Sequence, residues 1–308
     1  MNKKLFAYLG LFFVVFVWGL APLLTLELYK FYSPTIRVLF SEIILIVTYL
    51  IISKKHLKGF NLDYIKVGIP TGFFLALANI SQKVGLIYTT PAKYAFLENL
   101  SCITVPIVMF ILIRKKPKFM TIVSCIVCLI SIFILSGISL KDTSAWGIGE
   151  TLCALSGLLY GFNIAGTSVY AKDLYAPLYL VVQSFVSVLM SFMFALVFNY
   201  TTITSKTGQA IPIEKIFYSV KPSHFALLII ITVVCSALCW IIRTNAMKHI
   251  DASIVVIIMP FSSVVTSVIS VIWGNDILNL NLVLGGILGV LAIFLSSYDD
   301  IFKRKLSS

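Results

Sequence analysis

Stretches of about twenty apolar residues follow one another along this chain with only short polar breaks between them. Wound as a helix, a run of that length spans the roughly 30 Å of hydrocarbon in a bilayer. Lipid offers backbone groups no hydrogen-bond partners, so only helices or a closed barrel can cross it. Barrel strands alternate polar and apolar residues over about ten positions, and no such alternation is present. The composition agrees: 59% of residues are hydrophobic and 12% charged, against roughly a quarter charged in soluble domains. The expectation is an all-α integral membrane protein, not the two soluble domains that 308 residues could hold.

Taking apolar runs bounded by charge, proline and polar turns places ten transmembrane helices. They lie near 5–28, 34–53, 65–84, 91–113 and 118–138, then 146–170, 177–198, 224–247, 252–273 and 280–298. The one long connection, 199–223, is polar and reads as an extramembrane loop. The first run begins after Lys3 and Lys4 but is too long for a signal peptide and lacks a convincing cleavage site, so it is expected to be retained. With the N-terminus in the cytoplasm, Lys and Arg favour the cytoplasmic segments by about two to one, so both termini are expected there. The net charge of +12 is distributed in these short clusters, which argues against nucleic-acid binding. All six cysteines fall inside apolar runs. Cys125 and Cys128 form a CxxC, but no histidine or second cysteine pair is near, so buried packing is expected rather than metal or redox chemistry.

The halves 1–142 and 143–308 match weakly. Trp18-Gly19, then Ser33-Pro34, parallels Tyr160-Gly161, then Ala176-Pro177. The stretch from Gly85 through Ala92 to Glu98-Asn99 parallels Ala246 through Ser253 to Met259-Pro260. Five helices per repeat, an odd number, would insert the halves in opposite orientations, the plan of many secondary transporters.

These residues resemble the EamA-like branch of the drug/metabolite transporter superfamily over about 5–298. The resemblance is carried by Trp18-Gly19, Arg37, the stretch Gly85–Leu97, Pro106, the stretch Ala246–Ser253, Pro260 and Leu284-Gly285-Gly286. It implies two inverted five-helix repeats and carriage of a small solute. The chain departs from the family where Ile258-Met259-Pro260 replaces Leu-Glu-Pro. Arg114-Lys115 and Gly274-Asn275-Asp276 likewise replace the usual Gly-Glu after helices 4 and 9.

An ionisable group inside a membrane helix is expensive unless paired or hydrated. Glu98, about 10 Å into the predicted helix 4, is the sharpest candidate. Hydrocarbon favours its neutral form, so it could take up and release a proton during a cycle; a structural ion pair with Lys83, Lys93 or Arg37 is the alternative. Glu42, two turns into helix 2, is the second coupling candidate, though a structural role is favoured for it. Glu150 is expected to reach water at the outer end of helix 6, and Arg243 to snorkel at the inner end of helix 8.

Candidate solute contacts are Asn79 and Gln82 on one face of helix 3, with Glu98, Asn99, Asn163 and Ser263 from other helices. Gln183 is a further uncharged polar residue on helix 7. Trp18, Tyr160 and Trp240 lie away from the membrane interfaces and could line a cavity, with core packing an equal alternative. The stripe Ser263, Thr266, Ser267 and Ser270 and the pairs Gly157xxxGly161 and Gly285xxxGly289 read as close helix packing. No dense basic cluster is expected at midplane, which argues against polyanions.

The expected function is secondary transport of a small metabolite, an amino acid or related solute, by alternating access across the cytoplasmic membrane. Export or exchange is preferred, with the proton a candidate coupling ion. No Walker-type loop is present to bind ATP, and no cofactor is expected. The protein is expected to work as a monomer or homodimer. A non-transporting scaffold or receptor and a membrane enzyme are the rival classes. The enzyme is disfavoured because the three histidines, His56, His224 and His249, sit at helix ends or loops.

Overall fold

The computed structural model describes residues 3–28, 32, 34–89, 94, 97–114, 116–136, 147–198, 203–204, 210–211, 222–272 and 280–302. Among the described residues, each apolar run is mainly helical. The first half contains α1 (Lys3–Leu28), α2 (Pro34–Ser53), α3 (Leu62–Tyr88), α4 (Ser101–Ile113) and α5 (Phe119–Ser136). The second contains α6 (Ile148–Tyr170), α7 (Ala176–Phe198), α8 (Pro222–Ala246), α9 (Ala252–Ile258 and Phe261–Ile272) and α10 (Leu280–Phe302). Six of these helices are long and apolar enough to cross a membrane, and shorter apolar helices accompany them. Lys93, most of the 199–223 loop, Gly274-Asn275-Asp276 and the side chains of Ser267 and Ser270 lie outside the described residues. Within the loop, Ile203–Thr204 pairs antiparallel with Ala210–Ile211.

Local chemistry sets the helix ends. Asn61 caps α3 by accepting from the Asp63 amide at 3.0 Å, and Asp251 does the same for Ser253 at the start of α9. Glu150 reaches back to the Gly147 amide at 2.8 Å at the start of α6. At the other end of α4, Arg114 adopts a left-handed conformation with φ 54° while its amide bonds Phe110 O. Glycine adopts that conformation freely, whereas an L side chain is disfavoured there. Arg114→Gly is expected to stabilise the protein by about 1 kcal/mol, read as a higher midpoint of thermal unfolding in detergent. An unchanged or lower midpoint would contradict it.

Three helices depart from straight α geometry. The predicted fourth helix, 91–113, is interrupted: Tyr94, Leu97 and Glu98 are helical, Asn99 and Leu100 form a turn, and the helix resumes as α4 at Ser101. Leu100 N bonds Leu97 O and Cys102 N bonds Asn99 O across the break. The ninth is likewise broken, into Ala252–Ile258 and Phe261–Ile272. Pro260, which has no amide hydrogen to donate, sits in the gap, and Ser262 and Ser263 bond three residues back to Met259 and Pro260. α8 runs Pro222–Ile231, widens to a π segment at Thr232–Leu238 and continues as Cys239–Ala246.

Large apolar side chains cover the outside: Leu5, Phe6 and Leu9 on α1, Phe192 and Met193 on α7, and Leu280 and Phe294 on α10 are all exposed. A water-soluble fold rarely exposes so much contiguous apolar surface. Lipid satisfies it, and the protein is a multi-pass membrane protein.

Inside, α3 packs on α6 and α7, α2 on α7 and α8, α1 on α8 and α9, α4 on α6 and α9, and α5 on α10. Small residues permit the closest of these approaches, as expected for Gly157 and Gly161. A Cβ at Gly157 would collide with the carbonyls of Leu97 and Glu98, and one at Gly161 with Thr104. In the first half a Cβ at Gly19 would lie 2.6 Å from Val265. The second glycine pair also packs: Ser131 of α5 donates to Gly285 O at 2.6 Å and sits against Gly289.

Candidate functional site

A cavity of about 150 Å³ opens between α1, α2, α3, α6, α8 and the two broken helices α4 and α9. Drug-sized ligands need roughly 300–1,000 Å³, so this space suits a small metabolite. α5, α7 and α10 contribute no side chain to its lining. The packing of α5 on α10 keeps that pair away from the cavity.

Aromatic rings form one wall. Trp18 and Trp240 meet edge to face with centroids 5.5 Å apart, and Tyr160 lies 6.5 Å from Trp240. Trp18 is anchored by its indole N–H, which donates to Cys235 O at 2.8 Å. That carbonyl belongs to the π segment of α8, where the wider turn leaves carbonyls less well used by the helix itself.

Arg243 overturns its expected place. It does not snorkel at the inner end of α8: the residue is 2% exposed and lines the cavity. Its guanidinium lies 4.5 Å from the Trp240 ring and 5.8 Å from Trp18, a cation–π arrangement that holds the fork flat. Nε and Nη2 are buried without a hydrogen-bond partner among the described residues. The sequence carries a signal for this: Trp240 and Arg243 are three apart, so one helix face presents both.

Arg37 and Lys83 line the same space, which corrects the expectation that no basic cluster lies near midplane. Arg37 donates from Nη2 to Thr25 Oγ1 at 3.1 Å, and Lys83 from Nζ to Tyr94 Oη at 3.1 Å. The opposing charges are Glu42 and Glu98. Lys83 and Arg243 act on Glu98 electrostatically and Gln82 hydrogen-bonds it. Glu98 therefore stands at the end of the helical segment that precedes the Asn99–Leu100 break, not inside a continuous helix.

Glu42 faces Asn79, whose Nδ2 donates to Oε1 at 3.2 Å, and Ser184 and Ser187 of α7. Its Oε2 is buried without a bonding partner. Tyr160 Oη lies 2.6 Å from Asn79 Oδ1 and 2.9 Å from Gln82 Oε1. A string of hydrogen bonds thus runs from Glu42 through Asn79 and Tyr160 to Gln82, across α2, α3 and α6. Asn99 Nδ2 donates to Ser263 Oγ at 3.2 Å, joining the breaks in α4 and α9.

Of the sequence candidates, Trp18, Asn79, Gln82, Glu98, Asn99, Tyr160, Trp240, Ser263 and Glu42 all line the cavity. Asn163 does not: it is 1% exposed and donates to Thr71 O at 3.0 Å, holding α6 to α3. Gln183 is likewise absorbed elsewhere, bonding Tyr179 Oη at 2.8 Å. Glu150, expected near water, is 1% exposed and accepts from Thr89 at 2.8 Å, so it closes a helix start. Arg37, Lys83 and Tyr94 are cavity residues that helical spacing alone did not gather, because Tyr94 lies beyond a break and the other two sit on separate helices.

Residues 147–298 match the sequence model of the EamA-like transporter family, a family consistent with the drug/metabolite transporter superfamily and made up of transporters rather than enzymes. No curated protein matches the chain. Among solved structures, one described only as the crystal structure of a protein superposes with a TM-score of 0.72. The alignment covers 95% of this chain and 97% of the other at 14% identity, a likeness of fold alone.

Proposed function

From a second half that is an EamA-like transporter domain, we propose that the whole chain is a secondary transporter of a small carboxylate-bearing metabolite, an amino acid or close relative, working by alternating access. The observation that carries this reading is Arg243, a buried guanidinium with unsatisfied donors beside an aromatic wall and two carboxylates. A fork of that kind matches a carboxylate, the rings suit an apolar side chain, and Glu42 or Glu98 suits an ammonium.

Alternating access by two inverted five-helix repeats, 1–142 and 143–308, is supported from three directions. Shifting every helix by five converts the α3–α6 contact into α8–α1, α3–α7 into α8–α2, and α4–α6 into α9–α1; α2–α7, α4–α9 and α5–α10 map onto themselves. The breaks at Asn99–Leu100 and Met259–Pro260 fall within one residue of the positions that the sequence alignment of the halves pairs. Gly19 against Val265 and Gly161 against Thr104 are the same contact made twice. Discontinuous helices meeting at a repeat interface are the usual ground of a transporter's central site.

The same reading puts the protein in the cytoplasmic membrane with both termini inside, as monomer or homodimer, exporting or exchanging its solute with Glu98 as the proton-sensitive group. Its test is flux into proteoliposomes for a panel of amino acids, nucleosides, sugars and organic cations, with and without a pH gradient. Saturable flux of amino-acid-like solutes is expected, accelerated several-fold by the gradient in the wild type and not in Glu98→Gln. Flux confined to solutes without a carboxylate would refute the substrate class. Absence of all flux from folded protein would favour a scaffold or receptor.

A further inference from the structure

At the end of the bundle that carries Lys4, the ends of α1, α4, α5, α6, α8 and α9 surround a second cavity of about 550 Å³. Lys4, Lys116, Lys118, Lys172 and Lys248 line it, against a single carboxylate among the described residues, Asp251. Asp251 is engaged at the start of α9, where it accepts from the Ser253 amide. Lys248 is held in place by donating to Leu174 O, which uses one of its three N–H groups. The positive-inside rule explains why lysines stand at one end of the bundle, but not why five converge on one concave space. They come from four separate segments, two in each half. Like charges gathered in this way repel, and an anion seated among them offsets that repulsion while bonding both halves at once.

A groove adjoins this cavity on the lipid-facing side of the bundle. α5 packs on α10 whereas α4 packs on α6 and α9, so these consecutive helices touch each other only lightly. Between them lies an apolar space of about 430 Å³, walled by Ile103, Ile107 and Phe110 of α4 and by Ile122, Ile126 and Leu129 of α5. Pro106 and Pro117 line both the groove and the basic cavity, so the two spaces meet at those prolines. Pro106 has no amide hydrogen to give to Cys102 O, and Cys125 Sγ of α5 donates to that carbonyl instead at 3.1 Å. From Ile122 to Leu129 the groove runs about 10 Å at 1.5 Å per residue, about two-thirds of the roughly 15 Å of hydrocarbon in one leaflet.

Positive charge at the membrane surface, joined to an apolar channel running down one leaflet, matches a ligand that is anionic at one end and hydrocarbon at the other. We propose that this is a binding site for one anionic phospholipid, its phosphate among the lysines and an acyl chain in the groove between α4 and α5. A zwitterionic lipid has the same chains, but it would bring its own cation into a space already holding five ammonium groups. A free anion would use the basic cavity and leave the groove without a role. The site shares no lining residue with the central cavity, so it does not depend on what that cavity carries.

The test is thermal unfolding of the whole chain in a neutral detergent, with dioleoyl phosphatidylglycerol or dioleoyl phosphatidylcholine added at equal mole fraction, beside native mass spectrometry of the same samples. Phosphatidylglycerol is expected to raise the unfolding midpoint well above the effect of phosphatidylcholine, and one molecule of it to stay bound per chain. Lys116→Gln with Lys172→Gln removes one exposed lysine from each half of the cavity and is expected to weaken that binding about 10- to 30-fold. Lys54→Gln with Lys58→Gln removes the same charge outside the cavity and is expected to weaken it no more than about twofold. Ile107→Trp with Ile126→Trp places two large rings in the groove from positions more than half exposed, so the protein is expected to fold and to lose the bound lipid. Equal shifts from the two lipids, or equal losses from the two lysine pairs, would reduce the cluster to general surface charge and overturn the site. A shift reproduced by inorganic phosphate and untouched by the groove substitutions would leave a free-anion pocket and remove the lipid. A lipid-free dimer that the groove substitutions dissociate would put a second copy of the chain in its place.

Discussion

Arg243→Gln is expected to lower the flux of carboxylate-bearing solutes, as kcat/KM, by roughly 10- to 100-fold, from the loss of charge-assisted hydrogen bonds of about 1.5–3 kcal/mol. The loss should appear mainly in KM, because the fork binds a group that does not change during transport. Arg243→Lys should retain part of the activity: the charge remains, but the planar two-point contact and the stacking on Trp240 do not. Analogues without the carboxylate should be much less affected. Arg243 also stacks on Trp240 and acts on Glu98, so its removal costs stability as well as affinity. Flux and thermal unfolding measured on the same preparations separate the two. Unaltered KM for a carboxylate solute would show that Arg243 is not its anchor.

The second large effect is on assembly. Gly157→Ala is expected to destabilise the protein by about 1–3 kcal/mol, and Gly157→Leu to prevent recovery of monodisperse protein. The reason is geometric: the added carbon would overlap two backbone carbonyls, Leu97 O and Glu98 O, which have no side-chain freedom to move aside. Because those carbonyls belong to Glu98 and its neighbour Leu97, Gly157→Ala should also weaken the response of flux to a pH gradient. Gly59→Ala, where a Cβ would meet nothing within 4 Å, serves as the matched control and should unfold like the wild type. Equal stability of Gly157→Ala and Gly59→Ala would mean that α4 and α6 can separate without loss.

The membrane class, the ten helical segments and the packing role of Gly157 and Gly161 were legible in the residues, because each depends on short-range rules. Apolar length decides whether a helix can span lipid, and a four-residue spacing puts two glycines on one face. Aromatic residues away from the interfaces were also legible as cavity candidates. The second-half breaker Pro260 was visible, but the turn at Asn99–Leu100 was not, since nothing in Glu98-Asn99-Leu100 forbids a helix. Just before that turn, α6 approaches closely enough at Gly157 to touch the carbonyls of Leu97 and Glu98.

What only the tertiary structure decided is which polar groups share a space. Lys83 and Arg243 are 160 positions apart and both act on Glu98. Asn163 looked equivalent to Asn79 by composition, yet one bonds a backbone carbonyl in a packed interface and the other joins Glu42 to Tyr160 in the cavity wall. Glu150 and Arg243 both sit near helix ends, where sequence reasoning grants them water, and both are almost wholly enclosed by neighbouring helices. Distance along a helix measures depth along its own axis only. Whether a side chain at that depth meets lipid, water or a buried partner depends on the rotation of the helix and on what packs against it, and that is set by contacts distant in sequence.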